Sequence, residues 1–202
     1  NPYLANVTIW DADDVAVDLF NGATPTIRDL VIDEAGQDWT IPTYWRYGIG
    51  LSVGNGSAPN VDGIEIRDAV TRGLNMWRNS GGLFRNITIE NVTGATLAAS
   101  AAIWVEDSRP LIEFIDVDRS DHGAIIRHMD DAFITRAVMR DVSISNSMYK
   151  AILLDKDDRT NYTNYQSAII EGLSITGTGG PDAKTPGLAT TAIEINATGA
   201  WI

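Results

Sequence analysis

A short apolar–polar–apolar triplet recurs seven times along this chain, as Val7-Thr8-Ile9, Leu30-Val31-Ile32, Ile64-Glu65-Ile66, Ile87-Thr88-Ile89, Ile115-Asp116-Val117, Val142-Ser143-Ile144 and Leu173-Ser174-Ile175. Successive copies lie 23, 34, 23, 28, 27 and 31 residues apart. Alternation with a period of two is the mark of a strand with one buried face, and a fixed long-range period is the mark of a solenoid.

Two further segments recur in step with the first. One reads Val15-Ala16-Val17, Ile49-Gly50-Leu51, Leu74-Asn75-Met76, Ile103-Trp104-Val105, Ala124-Ile125-Ile126, Ile152-Leu153-Leu154 and Ile193-Glu194-Ile195, often after Gly or Ala as at Gly48, Gly73, Ala102 and Gly123. The other, shorter, precedes each later triplet, as in Pro25-Thr26-Ile27, Pro59-Asn60-Val61 and Pro110-Leu111-Ile112. The pattern predicts an all-β, single-domain right-handed parallel β-helix over residues 1–202, with about seven coils and three short strands per coil. Each coil then stacks on the next at about 4.8 Å, and Ile9, Ile32, Ile66, Ile89, Val117, Ile144 and Ile175 form one inward column. A β-sandwich would instead place hairpin dipeptides between its strands. Neither end carries a capping helix in the sequence pattern, so the expectation is a stretch of a longer chain or a unit that associates end to end.

Composition narrows the partners. A net charge of −12, from 27 acidic and 15 basic residues, leaves no basic face for phosphates, so nucleic acid is not expected. No apolar run reaches the length of a membrane span. Cysteine is absent, which removes disulfides and thiolate chemistry. Six sequons, at Asn6, Asn55, Asn86, Asn91, Asn161 and Asn196, point to an extracellular or cell-surface setting.

The stretch Arg85-Asn86-Ile87-Thr88-Ile89-Glu90-Asn91, with its three-segment period, resembles the right-handed β-helix superfamily that includes pectate lyases and polygalacturonases. In style it is closest to the β-helix repeat proteins of microbial surfaces. The superfamily often stacks asparagines in a turn. Asn91 and Asn146 stand at that place here, but Asp11, Glu34, Asp68, Arg119 and Gly177 fill the equivalent positions, so an asparagine ladder would be broken. Polygalacturonase-like elements are incomplete: Asp130-Asp131 and Asp157-Asp158 are present, but the histidine lies in Asp121-His122-Gly123. The resemblance therefore implies the architecture and no particular enzyme family.

The densest polar constellation follows the second segment in three consecutive coils. Glu106, Arg127, His128, Asp130 and Asp155 are the candidate catalytic groups, since a carboxylate pair serves glycosidic cleavage and a histidine beside a carboxylate serves proton transfer. Asp107, Asp131 and Asp157 are candidate oxygen ligands for Ca²⁺. The competing expectation is a ladder of opposite charges at solvent-facing strand ends. Trp39, Tyr44, Trp45, Trp77 and Trp104 are candidate stacking platforms for sugar rings. Two functions follow: a surface module with a structural, adhesive or carbohydrate-binding role, whose partner is a polysaccharide or cell-surface glycan, or a polysaccharide lyase or glycoside hydrolase acting along the helix face.

Overall fold

The computed structural model describes residues 2–36, 48–94, 100–129, 133, 135–156, 166–179, 191–195 and 200–201. All its regular structure is strand. Long strands alternate with short ones: β1 (Tyr3–Ala12), β3 (Thr26–Ala35), β5 (Asn60–Ala69), β7 (Gly81–Val92), β9 (Arg109–Ser120), β11 (Thr135–Ser145), β13 (Gln166–Thr176) and the two-residue β15 (Ala200–Trp201) against β2 (Val15–Leu19), β4 (Ile49–Gly54), β6 (Arg72–Trp77), β8 (Ala101–Glu106), β10 (His122–His128), β12 (Lys150–Lys156) and β14 (Thr191–Ile195). The odd strands pair in chain order into one parallel sheet and the even strands into another. This is a parallel β-helix, each turn of chain contributing one strand to each sheet.

Two expectations are revised. The short third segment and the recurring triplet are not separate strands: Thr26-Ile27 and Leu30-Val31-Ile32 both lie in β3. One left-handed residue bends the strand between them and interrupts pairing for that residue alone. Asn6, Asp29, Asn86, Phe114 and Asp141 have φ between 52° and 58°, and glycines 63 and 172 take the same place. The short strands also align differently in the first two coils. Val17 stands on Leu51 and Leu51 on Leu74, so Val17-Asp18-Leu19 and Leu51-Ser52-Val53 are the true equivalents of Leu74-Asn75-Met76. A slip of two residues leaves every side chain on its own face, so apolar alternation alone cannot detect it.

The asparagine ladder is likewise redefined. Asp11, Glu34, Asp68, Asn91, Arg119 and Asn146 all have positive φ, and Gly177 completes the column. What repeats is a backbone conformation rather than a side chain. Asn, Asp and Gly are favoured there because their left-handed penalty is small. Neighbouring coils add side-chain bonds at such corners, as Asn146 Nδ2 donates to Asp118 at 2.7 Å and Asn86 Nδ2 to Asp62 at 2.6 Å.

The core fills the space between the sheets. Ile32, Ile66 and Ile89 are fully buried, and Val117 and Ile144 continue the column, while Ile9 and Ile175 at its ends are half-buried. Gly73 makes room for this column, since a Cβ there would lie 2.7 Å from Ile89 Cγ2. Outside, the long-strand sheet carries alternating charge: Glu113 accepts from Arg85 Nε at 3.0 Å and Arg140 Nη1 at 3.2 Å, and Arg140 Nε donates to Glu171 at 2.9 Å. The two guanidiniums hold Glu113 below the usual carboxylate range, against the smaller opposing effect of burial.

Ile89→Ala removes three buried carbons from a fully packed column and is expected to cost about 2–5 kcal/mol in denaturant unfolding. Ile9→Ala, at a half-buried site, should cost clearly less. Phe114 holds φ at 58° with its ring exposed, so Phe114→Asn should raise stability by about 1 kcal/mol, the relief of an unfavourable left-handed residue.

Candidate functional site

The even strands present their outward side chains at positions that alternate with the core. Ser52, Asn75, Trp104, Ile125 and Leu153 form one outward column, and Gly54, Trp77, Glu106, Arg127 and Asp155 belong to the next. Apolar alternation predicts polar, wet residues there. Instead Ser52, Arg72 and Asn75 are buried although they lie on the outer face of the sheet.

These residues line a cavity of about 290 Å³ with Val15, Asp18, Phe20, Ile49, Trp77 and Glu106. That volume stands near the lower end of small-ligand sites, and its lining combines aromatic walls with a few converging polar groups. Gly54 shapes it. A Cβ at this position would lie 2.3 Å from Trp77 Nε1, so the missing side chain lets the indole lean across the preceding coil. There it meets Phe20, ring centroids 5.7 Å apart and 33° between planes.

At the other end, Glu106 anchors a stacked set of charges. Its Oε2 accepts from Trp104 Nε1 at 3.2 Å. The Arg72 guanidinium lies 3.9 Å from the Trp104 ring centroid and donates from Nη1 to Asn75 Oδ1 at 2.7 Å. Arg127 approaches the same ring at 5.9 Å. A guanidinium over an indole in a desolvated place is worth about 2 kcal/mol, which helps a buried cation persist.

Burial dominates the electrostatics of this pair. Desolvation pushes the Glu106 carboxyl up, opposed by Arg72 and the Trp104 N–H and assisted by Asp107. Arg72 is lowered to about 10, again by desolvation, with Glu106 opposing and Arg127 adding to the shift. Both partners move toward neutrality, so removal from water outweighs their mutual attraction. The result is a carboxyl that holds its proton more readily than an exposed one, beside a hydrogen-bonding cavity.

The sequence-derived candidates divide accordingly. Glu106 and Trp77 line the cavity. Arg127 stands on Glu106 in register and pairs with Asp155 at 3.5 Å, the arrangement expected of a charge ladder. His128 does not face the site. It is buried, 3.2 Å from Asp107 Oδ1 and 3.4 Å from Thr135 Oγ1. Asp107 is buried with it and also accepts from the Met129 N–H at 2.9 Å. Among the described residues, no group of three or more His or acidic side chains is arranged to hold a metal ion. Trp104, expected as an exposed platform beside Trp77, is 3% exposed, stands on Asn75 and lies under Arg72, so its face is not open to a sugar. Asp130, Asp131, Asp157, Trp39, Tyr44, Trp45, Asn161 and Asn196 lie outside the described residues. The other four sequon asparagines are exposed at left-handed corners, which explains why asparagine recurs there.

Sequence reading missed Arg72, Asn75, Ser52, Asp18 and Phe20. The available signal was a polar residue at the centre of an otherwise apolar short strand, in consecutive coils.

A second buried polar group lies beside the covered part of the same sheet. Asp121 Oδ2 accepts from the Gly94 N–H at 2.9 Å and from the Ser100 hydroxyl, while His122 Nδ1 bonds the Ser100 carbonyl at 3.0 Å. The His122 ring stands 5.6 Å from that of Tyr149. These bonds tie the entry of β8 to that of β10.

No protein-family profile and no curated protein matches the chain. Among solved structures, the catalytic domain of a GH87 alpha-1,3-glucanase in complex with tetrasaccharides is similar, with a TM-score of 0.59 and 14% identity over 96% of this chain. The chain covers 44% of that one. At this identity the likeness shows the shared all-parallel β-helix fold. No helix among the described residues is long and apolar enough to cross a membrane.

His122 provides a pH test of this corner. Burial, with a smaller effect of Lys150, holds its imidazole below the ordinary 6.5, against the Ser100 carbonyl, Asp121 and Glu194. The unfolded chain then binds the proton at higher pH than the folded one. The stability contributed by neutral His122 is complete above the ordinary imidazole range and declines as pH falls through it. Thermal unfolding between about pH 7 and pH 5 should therefore show a fall that a His122→Asn variant lacks in part.

Proposed function

We propose that this chain acts on a neutral glycan, which binds in the cavity on the outer face of the even-strand sheet and is cleaved with Glu106 as the acid. The observation that carries the reading is the pairing of a carboxyl raised by burial with a cavity of sugar-binding make-up. The leaning Trp77 and Phe20 offer apolar ring faces, and Asn75, Ser52 and Asp18 offer hydrogen-bonding groups. Asp18 brings negative charge to the cavity and the Arg72 guanidinium is already held by Trp104 and Asn75, which favours a neutral chain over an anionic one. The shared fold with a glucanase catalytic domain supports a carbohydrate-active role over a purely structural or adhesive one.

In this reaction Glu106 gives its proton to the glycosidic oxygen, and the bond from that oxygen to the anomeric carbon breaks. Water supplies a hydroxyl to the anomeric carbon, and its remaining proton restores Glu106. A carboxyl that must be protonated at the start works below its raised pKa, so turnover should fall as pH rises through that value. An extracellular or cell-surface setting belongs to the same reading, supported by sequon asparagines Asn6, Asn55, Asn86 and Asn91 on exposed corners.

One observation favours a second reading, glycan binding without turnover. The other carboxylate of the cavity, Asp18, stands three coils from Glu106, roughly 14 Å along the stack, beyond the usual spacing of a glycosidase pair. Incubation with a panel of neutral and acidic polysaccharides, read as new reducing ends and unsaturated products, separates the two. Cleavage of a neutral member that drops about 10²–10⁴-fold in Glu106→Gln, with folding unchanged by circular dichroism, supports the acid role. Binding with no cleavage supports the second reading, and neither binding nor cleavage overturns both.

A further inference from the structure

Glu106 shares the outer face of β8 with Trp104, two residues before it. The indole N–H donates to Oε2 of the carboxyl at 3.2 Å, and among the described residues no other donor bonds this group. The indole itself is closely held. It is buried, stands on Asn75 in the preceding coil and is covered by Ile125 in the following one. Ala101 belongs to the same buried cluster, with Leu153 packed against it. On the ring face lies the Arg72 guanidinium, 3.9 Å from the centroid, fixed in turn by its bond to Asn75 Oδ1 at 2.7 Å. Trp104 does not line the cavity, whereas Glu106 does. What the indole offers the site is therefore its N–H.

An indole nitrogen donates and cannot accept, so the role of Oε2 is fixed. In a neutral carboxyl the carbonyl oxygen is the better acceptor, which leaves the proton on Oε1. The bond also strengthens as that proton departs, because a carboxylate accepts more strongly than a neutral carboxyl. It thus favours the charge that appears on Glu106 during proton transfer. Burial acts against that charge, as does neighbouring Asp107, while Arg72 from β6 and Arg127 from β10 act with the indole.

We infer that Trp104 is the positioning residue of the acid: it grips Oε2, leaves the proton on Oε1 for the ligand, and steadies the carboxylate that remains after the proton is given. Resting on the glycan-cleaving reading above, this names the group through which Glu106 is aimed. It also separates Trp104 from a sugar platform, because the face of the ring is covered and only its N–H edge serves. Arg72 acts one step further back, as the clamp that keeps the ring in place.

Two measurements test this. The first needs no glycan and keeps the indole in place. Isotope-labelled wild-type protein is titrated across and above the carboxylate range while the indole N–H resonances are followed by NMR, Trp104 being identified by its nuclear Overhauser contacts to Ile125. Its shift is expected to follow a titration that is absent in Glu106→Gln. A Trp104 resonance that stays flat, or that titrates equally in Glu106→Gln, overturns the inference and leaves the glycan-cleaving reading intact. In the second, Trp104→Phe, which keeps a packed ring but lacks the N–H, is given the polysaccharide that the wild type cuts. The expected result is a fall in kcat of about tenfold with KM little changed, and a decline of kcat/KM with rising pH that begins at higher pH. The sign follows from the lost donor, since the carboxyl then keeps its proton to higher pH and gives it up less readily. A raised KM with kcat and pH profile unchanged marks a binding platform and overturns the inference, as does a folded variant that matches the wild type. If the wild type cuts no polysaccharide, the glycan-cleaving reading falls and this role falls with it, even where the resonance titrates.

Discussion

Everything in this protein depends on the hydrogen-bond ladder between successive coils. Because strands stack in parallel at about 4.8 Å, each residue stands directly on its equivalent one coil away. A choice made once is therefore felt along a column. Isoleucine in Ile32, Ile66 and Ile89 builds a continuous apolar wall, and opposite charges at Arg85, Glu113 and Arg140 form a ladder. Left-handed corners recur for the same reason, since the bend of one coil must match that of the next or the ladder between them is lost.

The candidate site uses this constraint in a different way. Where a column carries the same kind of residue in each coil, it produces wall or ladder. Where the kind changes, it produces a cavity. Gly54 below Trp77 is such a change, because a side chain is absent under a large ring. The step from Asn75 to Trp104 is another, since it ends the polar floor and begins a covered apolar patch. Arg72, Trp104 and Glu106 come together at this step. Desolvation moves both charged groups toward neutrality, so a structural discontinuity also becomes a place of altered acidity.

Buried polar groups away from the cavity have a plainer role. Ser80 and Ser108 share a 3.0 Å bond between coils, and Thr135 donates to the Arg127 carbonyl at 3.0 Å. Asp107 is taken up by His128 and the Met129 N–H. Such contacts satisfy the corners that the strand ladders leave unpaired, which is why carboxylates next to one another in sequence, Glu106 and Asp107, come to have different surroundings. One lines the cavity and the other holds the chain.

The amino-acid sequence by itself determined the parallel coil, its seven recurring triplets and the inward column of β-branched residues, because a period of two within a period of about 23–34 leaves few other arrangements. It also singled out Glu106 and Trp77. Only the tertiary structure decided that Thr26-Ile27 and Leu30-Val31-Ile32 share one bent strand, and that Leu51 rather than Ile49 stands on Leu74. It alone turned Arg127 outward and His128 into a buried pair with Asp107, and brought Arg72 over Trp104. The physical reason is that apolar alternation reports which face a residue occupies but not its height on that face. A slip of two residues leaves the pattern unchanged, yet which side chains meet across a coil depends on that height.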